Sequence, residues 1–298
     1  MVGVGALLSL TKHHGLGNDF LVLLDPDDRH PLGADVVRAL CDRHRGVGAD
    51  GLVRGQRGEG GASGDGADLT MDLRNADGCP AEMSGNGIAC LAQAAVDAGL
   101  SGADLVVATV AGPKAVRVRP GRDASESAVS VGMGAPTVGQ AAAWALDDGG
   151  PPVSFRGWRV AVGNPHLVLL CEDPDRLSSL DVVGLGSRYQ GRFPDGVNVE
   201  WVAPVAGSGP GANGTSRLMM RVFERGVGET LACGTGSVAA AAAFSHFRAD
   251  EGGLLAGPVQ VSNPGGDLLV EVSGPEAVLT TAVRRVARIE VDEAWLRP

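Results

Sequence analysis

Lysine is nearly absent from this chain: of 298 residues, only Lys12 and Lys114 carry an ε-amine. Chemistry run through a lysine Schiff base, as pyridoxal phosphate requires, is left with two positions, neither in a recognisable cofactor motif. Cysteine is scarce too. Cys41, Cys79, Cys90, Cys171 and Cys233 form no C-x-x-C pair and no zinc-like spacing. No metal site and no disulfide framework are therefore expected, and so few thiols, odd in number, fit a reducing cytosol. An excess of positive charge is missing: 25 Lys+Arg face 35 Asp+Glu, a net −10. That balance repels phosphate backbones and anionic bilayers, which argues against nucleic-acid or membrane partners. Long hydrophobic runs are missing as well, since none approaches the ~18 residues that span a bilayer. The apolar opening MVGVGALLSL lacks a basic leading segment and runs into patterned sequence at Lys12–Phe20, so no signal peptide is expected. These absences describe a chain expected to be soluble and cytoplasmic.

What the chain does contain is glycine, 46 residues of it, roughly twice the usual share of about 7%. Turns and close backbone approaches should be frequent. A length of 298 residues suggests two domains, and the chain in fact resembles itself. Gly17-Asn18-Asp19-Phe20-Leu21-Val22-Leu23 is echoed by Gly163-Asn164-Pro165-His166-Leu167-Val168-Leu169, 146 residues on. Asp50-Gly51-Leu52-Val53 is echoed by Asp195-Gly196-Val197-Asn198 at a spacing of 145, and Ser84-Gly85-Asn86-Gly87 by Cys233-Gly234-Thr235-Gly236 at 149. Asn75 and Glu224 each precede the last pair by nine residues. Two glycine-rich stretches, 57–66 and 206–215, also correspond and read as flexible surface loops. Four markers in one order point to a duplication.

Short strand-like runs fill both halves, among them Leu69–Leu73 and Val129–Met133 in the first and Leu167–Cys171 and Leu218–Phe223 in the second. One strongly apolar helix follows each Gly-x-Gly turn, Gly87–Ala98 and Gly236–Phe247. A helix apolar on nearly all faces must be surrounded. The expected fold is therefore α+β: two pseudo-symmetric domains, each a curved mixed sheet wrapped around a central buried helix. Gly134-Ala135-Pro136 breaks the strand pattern and the last strand, around Arg288–Val291, is expected to return to the first half. The expected domains are 1–134 plus 284–298, carrying Ser84, and 135–283, carrying Cys233.

Each central helix starts at a small nucleophile, Ser84 or Cys233. The N–H groups of Gly85, Asn86, Gly234 and Thr235 lack intrahelical partners, and the positive dipole ends point outward. If the pseudo-twofold brings the two starts together, they hold one carboxylate, with the Cys233 thiol pKa lowered. An α-carbon exposed there to two acid/base groups can lose a proton on one face and gain one on the other, which is stereoinversion without a cofactor. Other readings stand beside these. Ser84 is also an ordinary N-cap, and Cys233 a small buried hydrophobe. Asn18, Asn75, Asn164 and Asn198 suit turns as well as ligand contacts. Glu224-Arg225 fits the ammonium and carboxylate of a zwitterion, or a surface ion pair. His166 reads as a base near the thiol or as a satisfied core histidine.

The stretches HGLGNDF (14–20), RHRGVGADG (43–51), RNADG (74–78), EMSGNGI (82–88), GNPH (163–166), FPDGVN (193–198), ERGVGET (224–230) and ACGTG (232–236) closely resemble the diaminopimelate epimerase family, in its order and across nearly the whole chain. The resemblance implies two domains with strands around a central helix, usually in a homodimer. It implies interconversion of LL- and meso-diaminopimelate without a cofactor, on the route to lysine and peptidoglycan. Cys233 would then be one acid/base residue. Gly85, Asn86, Gly234 and Thr235 would hold the reacting carboxylate, and Asn18, Asn75, Asn164, Asn198, Glu224 and Arg225 the other polar groups. His166 and Glu224 would support proton transfer.

Three positions depart from the family pattern. Ser84 stands where the family has its other catalytic cysteine, Ala89 where an arginine commonly follows the turn, and Gly51 where some members carry Gln. An alkoxide forms far less readily than a thiolate, so Ser84 is the weaker base, suited to donating a proton or positioning water. In the related proline-racemase group a serine can replace one cysteine of the pair. A relative acting on another amino acid, or an amino-acid-binding protein with slow chemistry, remains open at this level. Cys79, five residues before Ser84, is an alternative donor, whereas Cys90 lies nearly two helical turns too deep.

Overall fold

The structure, a computed structural model, describes residues 7–59, 66–81, 83–146, 153–206, 215–250, 257–274 and 276–296. It divides into two compact units, residues 1–131 with 281–298 and residues 132–280. The tips of the two glycine-rich stretches, at 60–65 and 207–214, lie outside the described residues.

Unit 1 contains β1 (Leu7–Gly15), β2 (Asn18–Leu24), α1 (Ala34–Cys41), β3 (Gly51–Arg57), β4 (Leu69–Asn75), α2 (Gly85–Asp97), β5 (Asp104–Thr109), β6 (Gly112–Pro120) and most of β7 (Glu126–Gly134). Unit 2 contains β8 (Thr137–Val138), β9 (Ala142–Leu146), β10 (Val153–Ala161), β11 (Pro165–Leu170), α3 (Pro174–Ser178) and α4 (Val182–Gln190). It continues with β12 (Asn198–Pro204), β13 (Ser216–Glu224), β14 (Gly228–Thr230), α5 (Gly234–Asp250), β15 (Val259–Asn263) and β16 (Gly266–Ser273). Strand β17 (Glu276–Asp292) begins in unit 2 and ends in unit 1, where it pairs antiparallel with β1.

The same pairing sequence occurs twice. An antiparallel hairpin (β1–β2, β10–β11) leads to a parallel neighbour (β2–β3, β11–β12) and an antiparallel one (β3–β4, β12–β13). The central helix follows, the chain returns parallel (β4–β5, β13–β15), and two antiparallel steps complete the unit. Unit 2 adds the small hairpin strand β14. The fold is α+β with two pseudo-symmetric domains, as the repeat requires.

In each unit the central helix is enclosed. Every residue from Gly85 to Ala95 in α2 and from Gly234 to Phe244 in α5 is buried. Alanine and glycine dominate both helices, so surrounding strands approach closely on all sides; α2 touches β1, β2, β3, β4 and β6, and α5 touches β10, β11, β12, β13, β15 and β16. Strand alternation sorts the remaining side chains. In β12, Val199, Trp201 and Ala203 join Leu177, Leu185 and Tyr189 in an outer cluster under α3 and α4. The alternate residues Asn198, Glu200 and Val202 therefore face α5. Leu21, Leu23 and Leu52 likewise pack outward against Val37 and Leu40 of α1. Each such buried side chain contributes roughly 1.5–3 kcal/mol.

Ladder register corrects one detail of the repeat. Gly51 pairs with Phe20 and Asn75, whereas His166 pairs with Asn198 and Val199 with Phe223. Asn198 thus occupies the place of Gly51, and the likeness of the two Asp-Gly turns is displaced by two residues. The connections leading into β3 and β12 differ in length and absorb the shift.

Candidate active site

Ser84 caps α2 from an extended conformation (φ −142°, ψ 120°), its Oγ accepting the Gly87 N–H at 3.0 Å. Gly85 and Asn86 follow, both buried. The Asn86 amide N–H donates to Asn18 Oδ1 at 3.4 Å, while Asn86 Oδ1 is buried with no partner among the described residues. Asn18 in turn donates to Asp50 Oδ2 at 3.0 Å. Asp50 is held by Arg43, which also binds Asp19, and Lys12 lies 2.9 Å from Asp19. Burial pushes the Asp19 pKa up, but hydrogen bonds and charge from Arg43 and Lys12 outweigh it and bring it to about 2. The ionic cluster therefore anchors the turn that presents Asn18. Asn75 ends β4 opposite Gly51 with its side chain exposed. Cys79 is exposed in the following loop, and Cys90 is fully buried with its thiol pushed far up by burial.

Cys233 takes the same position before α5. Its backbone carbonyl accepts the Ser237 N–H at 2.9 Å, and its Sγ accepts the Gly236 N–H at 3.4 Å and lies 3.5 Å from Thr235 Oγ1. The expectation of a lowered thiol pKa is overturned. Burial pushes it well above the usual value, and the charges of Glu224 and Glu200 push the same way; the hydrogen bonds from Thr235 and Gly236 only oppose them. A helix terminus offers about half a positive charge, too little against full desolvation with acidic side chains alongside.

His166 is 1% exposed with both ring nitrogens engaged: Nδ1 lies 2.6 Å from Glu200 Oε1 and Nε2 2.8 Å from Asn164 Oδ1. Asn198 uses Oδ1 to accept the Arg225 backbone N–H at 2.9 Å, and Glu224 Oε1 accepts from Thr230 Oγ1 at 2.5 Å. The Arg225 side chain donates to the Asp195 carbonyl at 3.0 Å and lies across Gly196, whose φ of +75° and lack of Cβ permit the contact. In unit 1, hydrogen bonding links Asn18 to Asn86; in unit 2 it links Asn164 to His166, Asn198 to Arg225, and Cys233 to Thr235. Among the described residues, no three of His, Cys, Asp and Glu are arranged to hold a metal ion.

Sequence reasoning missed Glu200. It is fully buried, and a Cβ on Gly236 would come within 2.6 Å of its Oε1, so the third residue of α5 is glycine because this carboxyl lies against it. The available sign was an acid in the otherwise apolar run Val199-Glu200-Trp201-Val202, where a carboxylate is costly without a partner.

The sequence model for diaminopimelate epimerase matches residues 10–139 and 159–286. A diaminopimelate epimerase of Mycobacterium avium is 42% identical over 307 aligned positions, covering 97% of this chain and 98% of its own. That of Mycolicibacterium smegmatis is 43% identical, covering 95% and 97%. Among solved structures, a PhzF-family phenazine biosynthesis protein from Bacillus anthracis superposes with a TM-score of 0.67 at 15% identity, covering 96% of this chain and 99% of its own. A hydroxyproline epimerase from Agrobacterium vitis, with trans-4-hydroxy-L-proline bound, does so with 0.65 at 16%, covering 96% and 92%. These two likenesses concern the fold.

Proposed function

Because the chain belongs to the diaminopimelate epimerase family, we propose that it interconverts LL- and meso-diaminopimelate by moving the α-proton of one stereocentre between faces. It does so without a cofactor, in the synthesis of lysine and peptidoglycan precursors. The observation that carries this reading is the Cys233 thiol on the first turn of the enclosed helix α5, in a chain so closely matched along its length.

Cys233 as thiolate takes the α-proton: the Cα–H bond breaks, an S–H bond forms, and the electron pair moves into the carboxylate. The N–H groups of Gly234 and Thr235, with those of Gly85 and Asn86, stabilise that charge. The electron pair then returns to Cα and takes the Ser84 hydroxyl proton on the opposite face, breaking the O–H bond and leaving an alkoxide; through solvent the thiol loses its proton and the alkoxide regains one. Asn18, Asn75, Asn164, Asn198 and Arg225 hold the remaining polar groups of the substrate. Glu224 receives its ammonium, which offsets the charge that Glu224 sets against the thiolate, so substrate itself favours thiolate. His166 supports the transfer from beside the site. A homodimer in the cytosol is the state that the family resemblance implies; separately, no helix among the described residues is long and apolar enough to cross a membrane.

Incubating each diaminopimelate stereoisomer in heavy water and following the α-proton tests this directly. Exchange with inversion is expected. Binding without exchange would reduce the chain to a binding protein, and the absence of both binding and exchange would rule out diaminopimelate as its substrate.

A further inference from the structure

Glu200, His166 and Asn164 form one hydrogen-bonded line running from the floor of α5 towards the rim of unit 2. Glu200 and His166 are inaccessible, and Asn164 is half-buried on the turn before β11. Chemistry fixes the direction of each bond. An amide oxygen only accepts, so at 2.8 Å His166 Nε2 is the donor to Asn164 Oδ1. The proton between His166 Nδ1 and Glu200 Oε1, 2.6 Å apart, then belongs to the pair. Glu200 Oε2 has no partner among the described residues, and an unpaired buried charge of that kind is strongly disfavoured. Burial accordingly pushes the Glu200 carboxyl pKa up, with His166 opposing.

We propose that Glu200 is a positioning residue: by holding a proton against His166 Nδ1 it makes Nε2 the donor to Asn164 Oδ1, which turns the Asn164 amide N–H groups towards a substrate oxygen. This rests on the reading of Asn164 as a substrate contact given above. Without the shared proton, neutral His166 is free to place its one proton on Nδ1. Nε2 then becomes an acceptor, Asn164 turns its N–H groups inward, and a carbonyl oxygen faces the substrate carboxylate. The first unit has no such line, because ladder register places Phe20 where His166 stands and Val53 where Glu200 stands.

Substitution at Glu200 separates positioning from mere packing. In the unaltered protein, proton NMR should show one resonance far downfield of the amides, from the proton between His166 and Glu200. It should vanish in His166→Gln and in Glu200→Val, which copies Val53. Glu200→Val should raise KM about tenfold with a smaller change in kcat. Glu200→Gln, whose amide N–H donates to Nδ1, should keep most of the affinity while losing the downfield proton. Asn164→Ala should raise KM by a similar factor, and adding Glu200→Val to it should cost nothing more. Multiplying effects in the double variant, a downfield resonance surviving in Glu200→Val, or Glu200→Gln failing as badly as Glu200→Val while still folded by circular dichroism would each overturn the proposal. A chain that turns over neither stereoisomer would instead remove the epimerase reading and leave the NMR test standing.

Discussion

The two enclosed helices begin alike and are equipped differently. Both first turns carry a side chain that accepts a backbone N–H three residues on, Gly87 to Ser84 and Gly236 to Cys233. Around Ser84 the repeat supplies Phe20, Val53 and Asn75; around Cys233 it supplies His166, Glu200 and Glu224. Every one of these positions is neutral in unit 1, whereas each in unit 2 carries a titratable group. The repeat thus keeps the frame, while unit 2 alone places titratable side chains at all three of these positions. Unit 1 keeps its buried titratable histidine elsewhere, in a purely internal lattice. His13 meets Gln93 Oε1 at 2.8 Å and Thr11 Oγ1 at 2.9 Å, and Gln93 ties α2 to Ser127 and to the Val283 carbonyl.

The comparison breaks most decisively at the nucleophiles. Cys233→Ala should remove essentially all α-proton exchange, a loss of at least about 10³-fold, against a fall of roughly 10- to 100-fold for Ser84→Ala. Equal losses, read by the heavy-water assay, would erase the asymmetry. Ser84→Cys should move the other way and raise turnover about tenfold, since it restores a good acid/base group; a fall would mean the hydroxyl is suited to a different reaction. The pH profile should follow the unit 2 thiol alone. With thiolate as the proposed active form and the free thiol held above its ordinary value, kcat/KM should climb with pH into the alkaline range and lose that slope only in Cys233 variants.

Stability gives two smaller contrasts. Burial lowers the His13 pKa from the usual 6.5 to about 4, against the hydrogen bond to Gln93. Between those values the unfolded chain binds a proton that the folded chain refuses. Stability is thus full above pH 6.5 and lost as pH falls towards 4, by about 3 kcal/mol. Urea midpoints measured across that window should flatten in His13→Gln. At the helix turns, Gly236→Ala forces a methyl to 2.6 Å from Glu200 Oε1, whereas Gly87→Ala reaches only 3.2 Å from Ser84 Cβ. The first should destabilise by about 1–3 kcal/mol and the second by less than about 1 kcal/mol, as thermal melts would show.

Much of this frame was legible in the chain itself. The all-round apolarity of GIACLAQAAVDA and GSVAAAAAFSHF announced helices with strands on every side, and both are so placed. Ser84, Cys233 and the Asn18–Asn164 correspondence were likewise visible as repeated punctuation. The outer helices α1, α3 and α4 were not, because five to nine residues give too short a periodicity. Strand β17 was read only at its end, since its charged alternate residues mask the pattern. Local sequence also misplaced the β3–β12 correspondence, which hydrogen-bond register alone resolves. The thiol was misjudged for a related reason: the dipole is a property of the helix and legible, but Glu200 reaches Cys233 only through folding.

Strand β17 has a consequence for the order of assembly. Its last residues, Val283–Asp292, complete the sheet beside Leu7–Gly15, and the Val283 carbonyl receives Gln93. On the ribosome, the first unit must therefore wait until residues 283–292 are made before its β1 edge is covered, whereas residues 132–280 include the β17 segment that pairs with β16. The portion made first is finished last, and its open β1 edge is where a nascent chain would be most exposed to mispairing.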